Sequence, residues 1–225
     1  MLQGDMRGNA SLAEEVTIIL RDRILNGAYE MGEKLTESKI AAELKVSRTP
    51  VRDAFRELER ERLIEYIPNK GCFARGFDRE DVGDIYEVRE LIEQLAIRKV
   101  IDNASDEEIR QLGEHLELMR VYTENRSYEK LLKANEEFHE MIYRMTQSRF
   151  VVQILRTYQD YVHYTRRSTL RKGPDLPELF AEHEAIYRAV AARDKEAAGE
   201  AVAVHMRESA RRLVNRWNDE CAEGR

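Results

Sequence analysis

The order of predicted elements in the first 75 residues constrains the fold more than any other feature of this chain. Apolar residues recur at helical spacing in three short segments, 11–26, 37–44 and 47–62. Residues 63–67 and 72–74 are rich in β-forming side chains, and the Pro-Asn-Lys-Gly sequence between them is typical of a turn. Three short helices followed by a β-hairpin predict a winged helix-turn-helix.

From residue 78 onwards the pattern is helical throughout. Turn-forming residues divide it into six amphipathic helices, with breaks near 103–105, 125–127, 147–148, 172–177 and 193–194. Only 4 prolines and 11 glycines occur in 225 residues, which argues against a sandwich or barrel with many tight turns. We therefore predict a mainly α protein with a winged helix-turn-helix domain at 11–76 and an antiparallel all-α six-helix bundle at 79–220.

The composition also bears on the compartment. The two cysteines, Cys72 and Cys221, exclude a disulfide framework and indicate a reducing environment. No apolar run is long enough to cross a membrane, and residues 1–10 lack the apolar segment of a secretory signal. These features predict a cytoplasmic protein with no membrane partner.

Charge is distributed unevenly along the chain. The net charge is −6, yet residues 1–76 are balanced, so the acidic excess lies in the remainder. Residues 45–75 hold eight basic and five acidic side chains. A basic surface within an acidic protein can bind a polyanion at one place, and this stretch contains the third predicted helix.

The start of the third helix carries the side chains expected to reach DNA. In a helix-turn-helix, the first residues of the second helix of the motif face base edges in the major groove. Here these residues are Ser47, Arg48, Thr49 and Arg52, and Lys70 at the hairpin tip could reach the DNA backbone or the minor groove. Alternatively, the arginines form a solvated face paired with nearby acidic residues of the same helix.

Several spaced sequences then show a resemblance. The chain has ILNG at 24–27, GEKLTE at 32–37 and VSRTPVRDA at 46–54, and it also carries Leu58-Glu59 and Lys70-Gly71. This pattern resembles the DNA-binding domain of the GntR family. The resemblance implies a bacterial transcription factor that binds short inverted repeats as a dimer. It also implies DNA contacts by Arg48, Thr49 and Arg52, with Ser38 near a phosphate and Gly71 in the wing. Arg62 departs from the family pattern, which often has glycine there.

Polar residues interrupt the apolar stripes of three helices in the second domain. They are Asn135, His139, His183 and His205. His183 lies ten residues before the turn at 193–194 and His205 eleven after it, so an antiparallel helix pair would place the two rings at similar height. Three nitrogens and one oxygen suit a divalent transition metal such as Zn²⁺, Ni²⁺ or Mn²⁺.

Two alternatives accompany the metal hypothesis. The histidines could be unconnected, each hydrogen-bonded to a local partner. His115 and His163 lack this arrangement, and we interpret them as surface or packing residues. A metallohydrolase could use the same ligands, but the sequence contains no HExxH motif.

Arg89 lies at the edge of an apolar stripe in the first helix of the second domain, where its guanidinium needs an anion. The negative charge could come from a residue of a neighbouring helix, from a carboxylate ligand, or from one of three glutamates on the same helix, Glu87, Glu90 and Glu93. We include Tyr86 and Tyr161 as candidate hydrogen-bond donors lining the same pocket.

A second resemblance covers this domain. The sequence DIYEVRELIE at 84–93, together with Asn135, His139, His183 and His205, is similar to the FCD effector domain of FadR-type GntR regulators. The resemblance implies that the four residues bind a metal and that Arg89 binds the carboxylate of an effector. The family usually has aspartate where this chain has Asn135. Six helices suggest the VanR-like subgroup.

Together these features predict a dimeric repressor that binds an inverted-repeat operator in double-stranded DNA. A small organic acid, bound at the metal site and at Arg89, would change its affinity for DNA. A metal-ion sensor is the main alternative, and a metal-dependent enzyme with a DNA-binding head is a third. The sequence contains no convincing general base, so the hypothesis is that the chain is not an enzyme.

Overall fold

The computed structural model describes residues 11–25, 28–75, 79–169 and 176–223, without the side chains of 79, 160–169 and 216–223. Internal contacts divide the chain into two compact units, Met1–Asp78 and Arg79–Arg225. The described part is mainly helical, and this confirms the predicted fold class. No described helix combines the length and the apolar character that a membrane span requires.

The N-terminal unit is a winged helix-turn-helix. Its elements are α1 (Leu12–Leu25), β1 (Lys34–Leu35), α2 (Glu37–Leu44), α3 (Arg48–Arg60), β2 (Ile64–Ile67) and β3 (Gly71–Ala74). Ser11 and Glu14 form the reciprocal hydrogen bonds of a capping box at the start of α1. Thr36 and Ser47 occupy N-cap positions, but neither side chain makes a capping hydrogen bond.

The wing contains one strand more than the hairpin we predicted. β3 lies between β1 and β2 and is antiparallel to both, with Leu35 opposite Cys72 and Tyr66 opposite Cys72 on the other side. No strand was expected at Lys34 and Leu35, because two residues are too few to show a periodic pattern. Leu35 is buried in the core of this unit, which fixes the third strand in place.

That core forms because each helix turns one apolar face inward. Leu20 of α1, Val51 and Leu58 of α3, and Leu63 after it have no solvent exposure. Burying a side chain of this size stabilises a fold by about 1.5–3 kcal/mol. The charged residues of α3 therefore remain on its opposite face.

The C-terminal unit is the predicted bundle of six helices. They are α4 (Arg79–Asn103), α5 (Asp106–Glu124), α6 (Tyr128–Met145), α7 (Arg149–Thr169), α8 (Leu176–Ala191) and α9 (Lys195–Glu223). One apolar core draws residues from all six, including Ile97, Leu112, Phe138, Leu155 and Val190. The helices α6, α8 and α9 also turn polar side chains into this core.

Candidate functional site

Three buried imidazoles meet in the bundle. His139 of α6, His183 of α8 and His205 of α9 have almost no solvent exposure. One ligand nitrogen from each ring lies within 4.8 Å of those of the other two. The ring centres of His183 and His205 are 4.5 Å apart, and those of His139 and His205 are 5.2 Å apart. The structure therefore brings together residues separated by up to 66 positions in the sequence.

Hydrogen bonds fix the orientation of two of these rings. The Nδ1–H of His183 donates to the carbonyl oxygen of Leu179 at 2.7 Å, because a carbonyl can only accept. The Nδ1–H of His205 donates to the carboxylate of Glu182 at 2.8 Å. Both rings therefore have the tautomer whose lone pair is on Nε2, the usual arrangement in metal-binding histidines. The Nε2 of His205 lies 3.2 Å from that of His139.

Glu182 is in turn held by Arg212, whose two terminal nitrogens donate to its two carboxylate oxygens at 2.6 and 2.7 Å. A bidentate pair of this kind limits the rotation of the carboxylate. The chain Arg212–Glu182–His205 thus orients the third imidazole. Glu182 and Arg212 were not predicted from the sequence, because a pairing between residues 30 positions apart has no spacing pattern.

Asn135 is a possible oxygen donor on the same helix as His139. It lies one helical turn before His139 on α6 and is buried. Neither Nδ2 nor Oδ1 of its amide has a hydrogen-bond partner in the described part of the chain. A buried amide in this state is costly unless another group completes its bonding. Three imidazoles and an orphaned amide oxygen fit a divalent transition metal by donor type.

Arg89 on α4 is the largest of the fully buried side chains. Its Nη2 donates to Glu93 at 2.7 Å and lies 3.4 Å from the hydroxyl of Tyr143, while Nε and Nη1 have no partner among the described residues. Burial lowers the pKa of Arg89, but its electrostatic interactions with Tyr143 and with the Glu93 carboxylate outweigh this effect and raise the pKa above its ordinary value. The guanidinium is therefore charged, and two of its nitrogens can still donate.

Tyr143 links Arg89 to the histidines. Its hydroxyl donates to Glu93 at 2.6 Å, and its ring centre is 6.1 Å from that of His139. Burial and the nearby Glu93 carboxylate raise the pKa of this tyrosine, which keeps the hydroxyl protonated. The sequence analysis did not select Tyr143, although its position four residues after His139 on α6 was a usable signal.

The remaining candidates of this unit have different surroundings. Tyr86 is buried, and its ring faces Arg89 with 5.6 Å between the guanidinium carbon and the ring centre. The side chains of Tyr161 and His163 lie outside the described residues. His115 is away from the cluster, with its Nε2 2.7 Å from the carbonyl oxygen of Ala134.

The exposed face of α3 contains the candidate DNA contacts. Ser47, Arg48 and Thr49 are exposed at the start of the helix. Arg52 forms a bidentate ion pair with Glu37 of α2, with both hydrogen bonds at 2.9 Å. The pairing with Arg52 lowers the pKa of Glu37, and the charges of Arg48 and Arg56 add to this effect. The alternative in the sequence analysis paired the arginines with acidic residues of the same helix. Arg52 instead pairs with an acidic residue of the neighbouring helix α2.

The other candidate contacts lie on α2 and the wing. Ser38 is exposed in the first turn of α2, and Lys70 is exposed between β2 and β3. Gly71 has a φ of 111°, and a β-carbon there would lie 3.0 Å from the side chain of Lys34. Glycine is therefore favoured at this point of the wing.

Comparison with known proteins identifies both units. Residues 12–74 match the family model "Bacterial regulatory proteins, gntR family", and residues 84–208 match the FCD domain. The second match alone covers more than half of the chain.

Relatives and solved structures agree with these matches. The chain is 30% identical over 187 residues to the uncharacterized HTH-type transcriptional regulator YdhC of Bacillus subtilis (strain 168), covering 83% of this chain and 84% of YdhC. It is 28% identical over 192 residues to the gluconate operon transcriptional repressor of Bacillus licheniformis, covering 83% and 79%. The fold is similar to that of E. coli McbR/YncC, with a TM-score of 0.70 and 20% identity over 93% of this chain and 100% of McbR/YncC.

These matches confirm that the chain is a regulator and not an enzyme, because the family and its relatives are transcriptional regulators. The winged unit is accordingly its DNA-binding part, and the helical bundle is its FCD domain. The chain belongs to the GntR family of bacterial transcriptional regulators, in the branch that carries an FCD domain.

Proposed function

We propose that this protein is a ligand-responsive repressor that binds an inverted-repeat operator as a homodimer in the cytoplasm. A small organic acid, held by Arg89 and by a metal at the three histidines, changes its affinity for DNA. The observation that carries the proposal is the buried set of unsatisfied donors and ligands in one core. Arg89 has two nitrogens without partners, and the orphaned amide of Asn135 lies one turn from His139.

The donor types support the proposed ligands. His139, His183 and His205 would hold Zn²⁺, Ni²⁺ or Mn²⁺, with Asn135 as the oxygen donor. A metal bound there supplies positive charge and open coordination positions for an anionic ligand. The free N–H groups of Arg89 donate to a carboxylate in the geometry that guanidinium favours.

The contacts of Arg89 also suggest how a bound ligand could change the affinity for DNA. A ligand at Arg89 competes with, or adds to, the Glu93 carboxylate and the Tyr143 hydroxyl, so it changes the forces on α4 and α6. It alters DNA affinity only to the extent that it prefers one arrangement of the two winged units. Because two half-sites must be bound together, misplacing one winged unit loses much of the affinity without changing any base contact.

The test is operator binding in the presence of candidate acids. Operator DNA selected from a random library would be titrated with Zn²⁺-loaded protein, with fluorescence anisotropy as the readout, and repeated over a panel of organic acids. We expect at least one acid to weaken binding. Arg89→Lys keeps a positive charge beside Glu93 but removes the planar fork, so the acid response should weaken at least about 10-fold while operator affinity stays. Arg110→Ala, on the exposed face of α5, is the matched control.

A metal-ion sensor is the second candidate function, because the three histidines alone bring three ligand nitrogens within 4.8 Å of one another. Repeating the titration with and without the ion, and without any acid, separates the two. If the ion alone changes operator affinity and no acid adds to its effect, the sensor replaces the acid-responsive regulator.

A further inference from the structure

The core of the helical unit contains buried hydrogen-bond donors in more places than one carboxylate can reach. Nε and Nη1 of Arg89 and Nδ2 of Asn135 have no hydrogen-bond partner among the described residues. Nε and Nη1 lie on different edges of the guanidinium plane, so one carboxylate cannot accept from both. A buried donor without an acceptor is costly. A ligand that completes this site therefore needs acceptor oxygens at more than one point.

The buried charges around these donors sum to zero. Within the described part of the chain, Arg89 and Glu93 are the only buried side chains of the Asp, Glu, Lys and Arg types, and they form an ion pair at 2.7 Å. Close to the histidines, the charge of Glu182 is compensated by the bidentate contact of Arg212. Imidazoles bind a metal as neutral rings. The protein itself therefore brings no net negative charge to the candidate metal site.

Asn135 leaves this balance unchanged, because an amide is neutral. Its Oδ1 can coordinate an ion, but it adds no negative charge. With a divalent ion at the three histidines, the site would carry two positive charges without compensation. Isolated charge in a protein interior is costly. The missing compensation corresponds to two negative charges, and these must come from the ligand.

We propose that the effector is a dicarboxylate and that the neutral Asn135 sets the preference for two negative charges over one. One carboxylate accepts hydrogen bonds from Arg89, the other compensates the ion, and Nδ2 of Asn135 donates to the bound molecule. A monocarboxylate leaves one positive charge without compensation and fewer donors satisfied. The proposal deepens the proposed function and rests on the metal and the organic acid assumed there.

The first test compares each dicarboxylate with its own half-ester, which has the same chain length and one negative charge fewer. Malonate, succinate, glutarate, adipate and their monomethyl esters would be titrated into the Zn²⁺-loaded full chain by isothermal titration calorimetry. At about pH 7.5 all their carboxyl groups are ionised. We expect at least one dicarboxylate to bind at least about 10-fold more tightly than its half-ester, because it adds a charge-assisted contact. Sulfate carries the same charge as a dicarboxylate at one point and should bind no better than the half-esters.

Asn135→Asp tests the role of this position in the charge preference. The variant adds one negative charge, so the site with its ion needs one negative charge from the ligand and not two. The preference for the dicarboxylate over its half-ester should then fall below about 3-fold. A purely structural effect would weaken both ligands alike and keep their ratio. Asn125→Asp, at the exposed end of α5, is the matched control and should keep the ratio of the parent chain. Elemental analysis checks that all samples have equal zinc content.

The proposal is overturned if the half-esters bind as tightly as the dicarboxylates, if sulfate matches the dicarboxylates, or if Asn135→Asp keeps the ratio of the parent chain. Each of these outcomes leaves the proposed function intact when a monocarboxylate binds and changes operator affinity. If no acid of either charge binds the Zn²⁺-loaded chain, the proposed acid response fails together with this inference.

Discussion

At position 135 an amide takes the place of a carboxylate, and this changes the charge in the bundle core. A neutral amide replaces the aspartate that the family pattern usually has, so the three histidines lack a negatively charged neighbour at this point. Its unsatisfied Nδ2 and Oδ1 each cost about 1–3 kcal/mol of desolvation in the described structure. A bound metal ion would be coordinated by Oδ1 and would remove the desolvation cost of that atom.

We predict that Asn135→Asp strengthens Zn²⁺ binding about 10–100-fold, because it adds a negative charge next to the ion. The same variant should be less stable than the parent when the ion is removed, since the carboxylate is then buried without a cation. Competition with a fluorescent chelator measures the first effect, and thermal unfolding with and without Zn²⁺ measures the second. Asn125→Asp, at the exposed end of α5, is the control. Equal Zn²⁺ affinity in parent and Asn135→Asp would contradict the role of this position.

Glu93 compensates the buried charge of Arg89. We predict that Glu93→Gln lowers the free energy of unfolding by about 3–5 kcal/mol, because it leaves a buried guanidinium without an anion. Glu90→Gln removes the ion pair with Arg207 at the surface and should cost less than about 1 kcal/mol. Urea unfolding of both variants provides the comparison, and similar losses would contradict the special role of the buried pair.

The sequence could predict the histidines but not their supporting residues. Three histidines interrupt apolar stripes at helical spacing, and counting from one turn indicated that His183 and His205 face each other. The rings lie 4.5 Å apart. The contacts of Arg212 with Glu182 and of Tyr143 with Glu93 depend on how helices pack. Of these residues, only Tyr143 had a periodic signal, its spacing of four residues from His139.

Among the elements, helix ends were easier to predict than short strands. Apolar periodicity and turn residues located the six helices of the bundle, because each helix spans many periods. β1 was missed, since a strand of two residues is defined by its partner β3 and not by its own pattern.

The residue that follows the last turn of α3 has a left-handed backbone conformation, although it is not glycine. Arg62 has a φ of 62°, and the hydrogen bonds from its N–H to Glu59 and from Leu63 to Leu58 form a left-handed C-cap. Arg193 has a similar φ of 54°, but its side chain donates to the carbonyls of Ile101 and Ala104 near the end of α4. Arg62 makes no side-chain hydrogen bond or ion pair among the described residues.

We therefore predict that Arg62→Gly stabilises the winged unit by about 1 kcal/mol, because glycine adopts this conformation without the steric cost. Arg60→Gly, two residues earlier at the last residue of α3, should destabilise the unit instead, because glycine has a lower helix propensity than arginine. Hydrogen exchange at α3 amides in the two variants tests both signs. A loss of protection in Arg62→Gly would contradict the conformational explanation.

For the whole molecule, the separation into a DNA-binding unit and an effector unit was visible in the order of elements and in the local charge. On α3, the helix that we propose faces DNA, the Arg52 side chain is more constrained than the sequence indicated, because it forms an ion pair with Glu37 of α2. DNA binding must either keep that pair as a support for α3 or exchange it for a phosphate.

Arg48 is the residue on which we expect operator recognition to depend most. Arg48→Ala should weaken operator binding by about 1–3 kcal/mol and relax base choice at one position of each half-site, if it reads guanine. Arg23→Ala, on α1 and paired with Glu43, is the control for a general loss of positive charge. Anisotropy titrations on the selected operator and on single-base variants measure both effects. An unchanged affinity and base preference would contradict this assignment.

The proposed response to an acid and the alternative response to a metal ion both depend on the three histidines acting as one metal site. The most direct measurement is the zinc content of the folded chain after equilibrium dialysis, determined by elemental analysis. We predict one ion per chain in the parent and in His115→Ala, and almost none in His183→Ala with its helices intact. Equal zinc content in His183→Ala and the parent would contradict the central claim.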